Sequence, residues 1–223
     1  MERLELDSEV FDSIKSRQFY LTFVPALLLL LILAFVAWRF QIEIPLMTRD
    51  TAAIAKLHPF AGALSVVGSI FWSAAVSVSL FSAVLVKQKQ RHDIFRFLFC
   101  SALLSLYLLL DDTFQLHEEI AGRYLNIDEG VVFAVLGTAV AFYLLFFWRV
   151  IATTRWIFLL FALGFFAVSV AMDTILGPWL WRLRHWQYFF EDGFKWLGIA
   201  SWCSYHVTTA AQYVQKEMEH HRR

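Results

Sequence analysis

The chain has 223 residues, 59% hydrophobic and 17% aromatic, and its 19 Lys and Arg balance 19 Asp and Glu to a formal net charge of zero. That apolar share exceeds the roughly 45–50% of soluble domains, and with a mean hydropathy of +0.58 it indicates one helical membrane domain with no length left for a second, soluble one. Zero net charge gives no electrostatic reason to bind nucleic acid, and Cys100 and Cys203 lie inside apolar stretches, where they read as small core residues without redox or zinc spacing.

Residues 1–18 are polar and mainly acidic, and read as a short cytoplasmic tail. The spacing of Leu4, Leu6, Val10, Phe11 and Ile14 also permits a helix lying on the membrane surface. The apolar run that follows is too long for the core of a cleavable signal. A crossing helix needs about 20 mainly apolar residues, at 1.5 Å rise each across roughly 30 Å. Six stretches qualify: 19–38, 60–86, 95–116, 131–148, 156–176 and 189–213. Lipid satisfies no backbone polar group and period-two alternation is absent, so each is expected to be a helix. The expected fold is therefore all-α: a polytopic membrane domain of six transmembrane helices over 19–214, followed by a cytoplasmic tail at 215–223.

The first stretch, with its leucine run at 27–31, is uniformly apolar and should face lipid. The second and third carry Ser65, Gly68, Ser69, Ser73, Ser101 and Ser105, small residues that let helices approach closely. The third, fifth and sixth hold the most polar side chains and should line the interior. Counting Lys and Arg in the connections places twelve on the side of the termini and seven on the other, so both termini are expected in the cytoplasm. The opposite side carries eleven of the nineteen acids, which leaves it net negative by about four. Trp38, Trp148, Trp156, Trp179, Trp181 and Trp186 sit at stretch ends, as interfacial belts do. Residues 177–190 read as an interfacial corner that includes His185, and the basic run at 87–92 as a topology signal.

The costly residues collect at one depth. Asp111, Asp112, His117, Glu118 and Glu119 close the third stretch, Asp173 closes the fifth, and Glu191 and Asp192 open the sixth. In this topology Asp111 and Asp173 lie about 24 and 26 Å along their helices from the inner ends. At about 100° per residue Asp111 and Glu118 share an azimuth, while His117 points roughly 120° from Asp111. Glu191, Lys195, Gly198, Trp202 and His206 fall along one stripe of the sixth helix, with Lys195 placed to pair with Glu191 one turn away. Lys195 and His206 mark a polar path leading inward. Asp128 and Glu129 read as wet loop residues.

Carboxylates at close range need a cation or shared protons. Asp111, Asp112, His117, Glu118, Asp173, Glu191 and Asp192 are accordingly the candidate cation site. Oxygen donors suit Ca²⁺, Mg²⁺ or Mn²⁺ before Zn²⁺. The first functional expectation is a cation channel or transporter with its acidic site facing outward, in a plasma or bacterial inner membrane. As a channel it would assemble its pore as a homo-oligomer within the bilayer. The alternatives are a membrane-embedded metal-dependent hydrolase or other lipid-acting metalloenzyme, and a non-catalytic subunit or sensor. No nucleophile elbow, phosphate loop or His box is present to decide for an enzyme.

Overall fold

The computed structural model describes residues 2–87, 92–176 and 186–221, which form helices and no strand. The runs at 88–91 and 177–185, with the expectations placed on Arg182, Arg184 and His185, lie outside the described residues. The chain divides into two compact units, one ending at Ala61 and one beginning at Gly62.

The first unit contains α1 (Glu2–Phe40) and the short helices α2 (Ile44–Thr48) and α3 (Thr51–Ile54). Where a tail separate from the first stretch was expected, α1 runs continuously from Glu2, so no change of element marks residue 18. Its leucines at 27–31 are exposed.

The second unit is built from α4 (Ala63–Lys87), α5 (His92–Phe114), α6 (Glu129–Phe146), α7 (Trp148–Ile151), α8 (Ile157–Ala171) and α9 (Trp186–His221). Among the described residues four helices are long and apolar enough to cross a membrane: 22–40 in α1, α4, α5, and α8 with its extension to Thr174. α6 is apolar but shorter. α9 has length to spare, with 36 residues, but opens with Glu191, Asp192 and Lys195.

Local chemistry sets the boundaries. α5 stops at Phe114 because Gln115 takes a left-handed conformation, φ 49°, and the chain continues as a π-helical segment, Leu116–Tyr124. A second π-helical segment, Met172–Leu176, ends α8. α6 starts at an N-cap: the Asp128 carboxylate accepts the Gly130 N–H at 2.9 Å, satisfying a donor that the first turn leaves over. Asp128 is thus exposed in the connection, as expected, and also caps the helix.

α4 packs against α5 and α9, and α9 also against α8. α4 and α9 run in the same direction, since Gly68 meets Ile199 and, one turn on, Trp72 meets Trp202 edge-on at 6.0 Å. Phe166 stacks on the other side of Trp72, 5.9 Å away and nearly parallel. α6 joins through rings: Phe97 stacks on Tyr143, and Tyr143 OH lies 2.6 Å from Ser101 Oγ. Two more buried polar contacts cross the bundle. Trp202 Nε1 donates to Ser105 Oγ at 2.9 Å, and Thr154 Oγ1 lies 3.1 Å from Tyr205 OH. Of the small residues read from the sequence as packing surface, Gly68, Ser101 and Ser105 are buried, whereas Ser65 and Ser73 are exposed.

Gly198 is the tightest of these approaches. A Cβ there would sit 2.6 Å from two ring atoms of Phe166, which Trp72 backs on its far face. Gly198→Ala should therefore destabilise the bundle by about 1–3 kcal/mol through overpacking. Thermal unfolding in detergent reads this directly, and an unchanged midpoint would mean that the ring has room to move.

Candidate functional site

Three helix ends converge at one end of the second unit. α4 begins there at Ala63, α5 ends at Phe114 and α9 begins at Trp186. Between them lies a pocket of about 360 Å³. α5 supplies Asp111 and Asp112, the turn and the π-helix supply Gln115 and His117, and α9 supplies Glu191, Asp192, Lys195 and Trp196. Gly62, Leu64, Ser65 and Ile199 complete the wall.

The helix break at Gln115 makes the first contact. In an unbroken helix His117 would point away from Asp111, as its azimuth predicts. After the left-handed residue the chain turns back, and the Gln115 carbonyl accepts N–H groups from Glu119 at 2.9 Å and from Ile120 at 3.4 Å, the second being the wide π-type bond. His117 is thereby carried onto Asp111, with Nδ1 2.7 Å from Asp111 Oδ2. The His117 backbone N–H donates to the other oxygen, Oδ1, at 3.1 Å. A carboxylate only accepts, so Nδ1 carries the hydrogen and the tautomer of the neutral ring is set. Both residues are buried, Asp111 6% and His117 8% exposed, and Phe133 of α6 packs on the imidazole at 5.1 Å.

The second contact crosses the bundle. Lys195 Nζ of α9 lies 2.6 Å from Asp112 Oδ1 of α5, and the Asp112 side chain is 9% exposed against 38% for Lys195. Gly68 of α4 leaves room beside this carboxylate, since a Cβ there would come within 3.9 Å of Asp112 Oδ2. The sequence placed Lys195 one turn from Glu191; the structure gives it a partner on another helix, because the end of α5 faces the third turn of α9. Glu191 is fixed by its backbone as well, its carbonyl accepting the Ser169 hydroxyl of α8 at 3.1 Å.

Six of the expected site residues thus meet at one pocket: Asp111, Asp112, His117, Glu191, Asp192 and Lys195. Asp173 does not join them. It lies in the second π-helical segment, is exposed, and does not line the pocket. The Glu118 side chain lies outside the described residues. His206 is in the core, eleven residues beyond Lys195 on α9, between the rings of Trp202 and Tyr205 at 4.9 and 5.0 Å.

Sequence reasoning missed Gln115 and Trp196. Nothing in the residues around Gln115 announces a left-handed turn, whereas Trp196 sits one residue after Lys195 and was available to an amphipathic reading of α9. The expected metal-ligating set is not assembled as one. Among the described residues no group of three or more His, Cys, Asp and Glu side chains is placed to hold a metal ion. The reason is visible in the pairing: Asp111 is turned to His117 and Asp112 to Lys195.

Removing the lysine tests how far the pocket depends on this pairing. Lys195→Met leaves the Asp112 carboxylate buried without its cation and should cost about 1–3 kcal/mol, with Lys195 partly solvated and so at the low end for buried pairs. Asp112→Asn combined with Lys195→Met should recover more than half of that loss. Both are read from unfolding midpoints in detergent, and a single variant as stable as wild type would show the pair to be energetically idle.

One protein family matches the chain over residues 23–209, described as a domain of unknown function (DUF8692). No curated protein and no solved structure matches it.

Proposed function

We propose that this chain, which belongs to the DUF8692 family, is a six-span membrane transporter whose acidic pocket faces outward and captures a cation. The observation that carries the reading is the charge of the pocket. Four carboxylates, Asp111, Asp112, Glu191 and Asp192, line about 360 Å³ with one lysine and one histidine among them. Such a cavity concentrates cations, and its oxygen donors suit Ca²⁺, Mg²⁺ or Mn²⁺.

Two further features favour a transporter over a channel. Below the pocket the bundle is filled by Trp72, Phe97, Trp202 and Tyr205, all nearly or fully buried. A pocket above packed rings is what one closed-ended state of an alternating-access protein needs. The helix break at Gln115 lies at the pocket itself, and interrupted helices are where transporters build ion sites. The six-span topology draws support from α9, which packs along α4 in the same direction, as a second and a sixth span would. The cytoplasmic termini follow from the twelve-to-seven distribution of Lys and Arg.

A second reading has one specific observation behind it. The buried pair of Asp111 and His117, with the imidazole tautomer set by the carboxylate, is also an arrangement for general-base chemistry on a lipid head group.

Flux separates the two. Liposomes that hold the pure protein and an encapsulated Mn²⁺-quenched dye should lose fluorescence when Mn²⁺ is added outside. Asp111→Asn and Glu191→Gln should slow that loss at least tenfold. Rates equal to those of empty liposomes would end the transporter reading. Hydrolysis of the liposome lipid, abolished by His117→Gln, would put the enzyme in its place.

A further inference from the structure

Below the acidic pocket the packed part of the bundle holds a second set of polar atoms. His206 is 1% and Ser79 0% exposed, and neither imidazole nitrogen nor the Ser79 hydroxyl has a hydrogen-bond partner among the described residues. Helical serines commonly bond back to the carbonyl four residues earlier, as Ser73, Ser101 and Ser204 do here. Ser105 is paired with Trp202 and Thr154 with Tyr205, while the Trp72 and Trp196 indole N–H groups and the Thr209 hydroxyl, like Ser79 and His206, have no partner among the described residues. Burying a polar group without a partner is costly, and more so where the surroundings are hydrocarbon. An apolar side chain at 206 would pack without that cost, so packing does not account for the imidazole.

Position relates these two residues to each other and to the pocket. α4 and α9 run side by side from the contact of Trp72 with Trp202. Ser79 lies two turns beyond Trp72 on the same face of α4, and His206 one turn beyond Trp202 on α9. They therefore meet the same seam within about 5 Å of height. His206 is also three turns below Lys195 on one face of α9, about 16 Å along the axis. Between them Trp202 donates to Ser105. Polar groups thus descend in steps from the acidic pocket through the aromatic core. Asp111 and His117, both at the pocket, are the other buried acid and imidazole among the described residues, and the buried phenols are Tyr143 of α6 and Tyr205 and Tyr213 of α9.

We propose that His206 and Ser79 form an inner proton station, hydrated during turnover, through which protons pass in exchange for the cation taken up at the pocket. The proposal rests on the transporter reading and adds its coupling ion. His206 accepts a proton on the ring nitrogen that lacks one and releases the proton from the other nitrogen. The Ser79 hydroxyl accepts one proton as it donates another. One passage leaves the imidazole in its other tautomer and the hydroxyl turned the other way, so a ring flip at His206 and a rotation of the Ser79 hydroxyl reset the station before the next proton, and no oxidant or reductant is needed.

The test uses the full chain in liposomes, with Mn²⁺ as the external probe and a pH-sensitive dye inside. Mn²⁺ entry should be accompanied by proton exit in wild type. His206→Gln keeps a side chain that bonds hydrogen and cannot carry the proton; it should lower proton exit at least tenfold while Mn²⁺ binding, measured by calorimetry in detergent, stays as in wild type. Ser79→Ala, the milder change, should lower proton exit severalfold. Mn²⁺ entry without proton exit in wild type, or wild-type proton exit in His206→Gln, would overturn the station and leave the transporter standing. Neither Mn²⁺ entry nor proton exit in wild type would remove both.

Discussion

A bilayer offers side chains no hydrogen-bond partners, and among the described residues four helices are long and apolar enough to cross one. The remaining organisation follows from that constraint. Most polar groups on the helices are satisfied by one another, with Ser79 and His206 among the exceptions, and the buried hydroxyls of Ser101, Ser105 and Thr154 each meet a tyrosine or tryptophan on another helix. The same requirement brings Lys195 to Asp112 and His117 to Asp111. Charges that would be idle on a soluble surface become the contacts that tie helix ends together.

The pocket depends on one irregularity. A straight continuation of α5 would have pointed His117 away from Asp111 and left a buried carboxylate without its imidazole. The left-handed Gln115 and the wide turn after it reverse that geometry within a few residues. Irregular helix of this kind frees carbonyls and reorients side chains, which is why it recurs at functional sites. Here both π-helical segments end helices that carry an acidic residue near the break, Asp112 before the first and Asp173 within the second. Only the first delivers its acids to the pocket.

Aromatic packing gives the pocket a floor. Trp72 packs on both Phe166 and Trp202, and Phe166 in turn requires Gly198 to be bare. A bundle built this way is closely packed below the pocket and open at it. A transporter would use that contrast by moving the packed half, and an enzyme would use it by holding its acid–base pair still.

Much of this was legible in residue order. Apolar runs of about 20 residues dictate helices because lipid leaves the backbone no other partner, and acids beside such runs mark a site because they are expensive there. Asp111, Asp112, Glu191, Asp192 and Lys195 could be found on that ground alone, since depth along a helix follows from counting residues. Tertiary structure decided what counting cannot reach. It placed His117 on Asp111 through a turn that no periodicity announces, paired Lys195 across the bundle with Asp112, and kept Asp173 away from the pocket. Azimuth is predictable only while a helix stays regular, and pairing between helices depends on how their ends meet in space. Those two quantities arise from packing, and a one-dimensional pattern of residue types does not contain them.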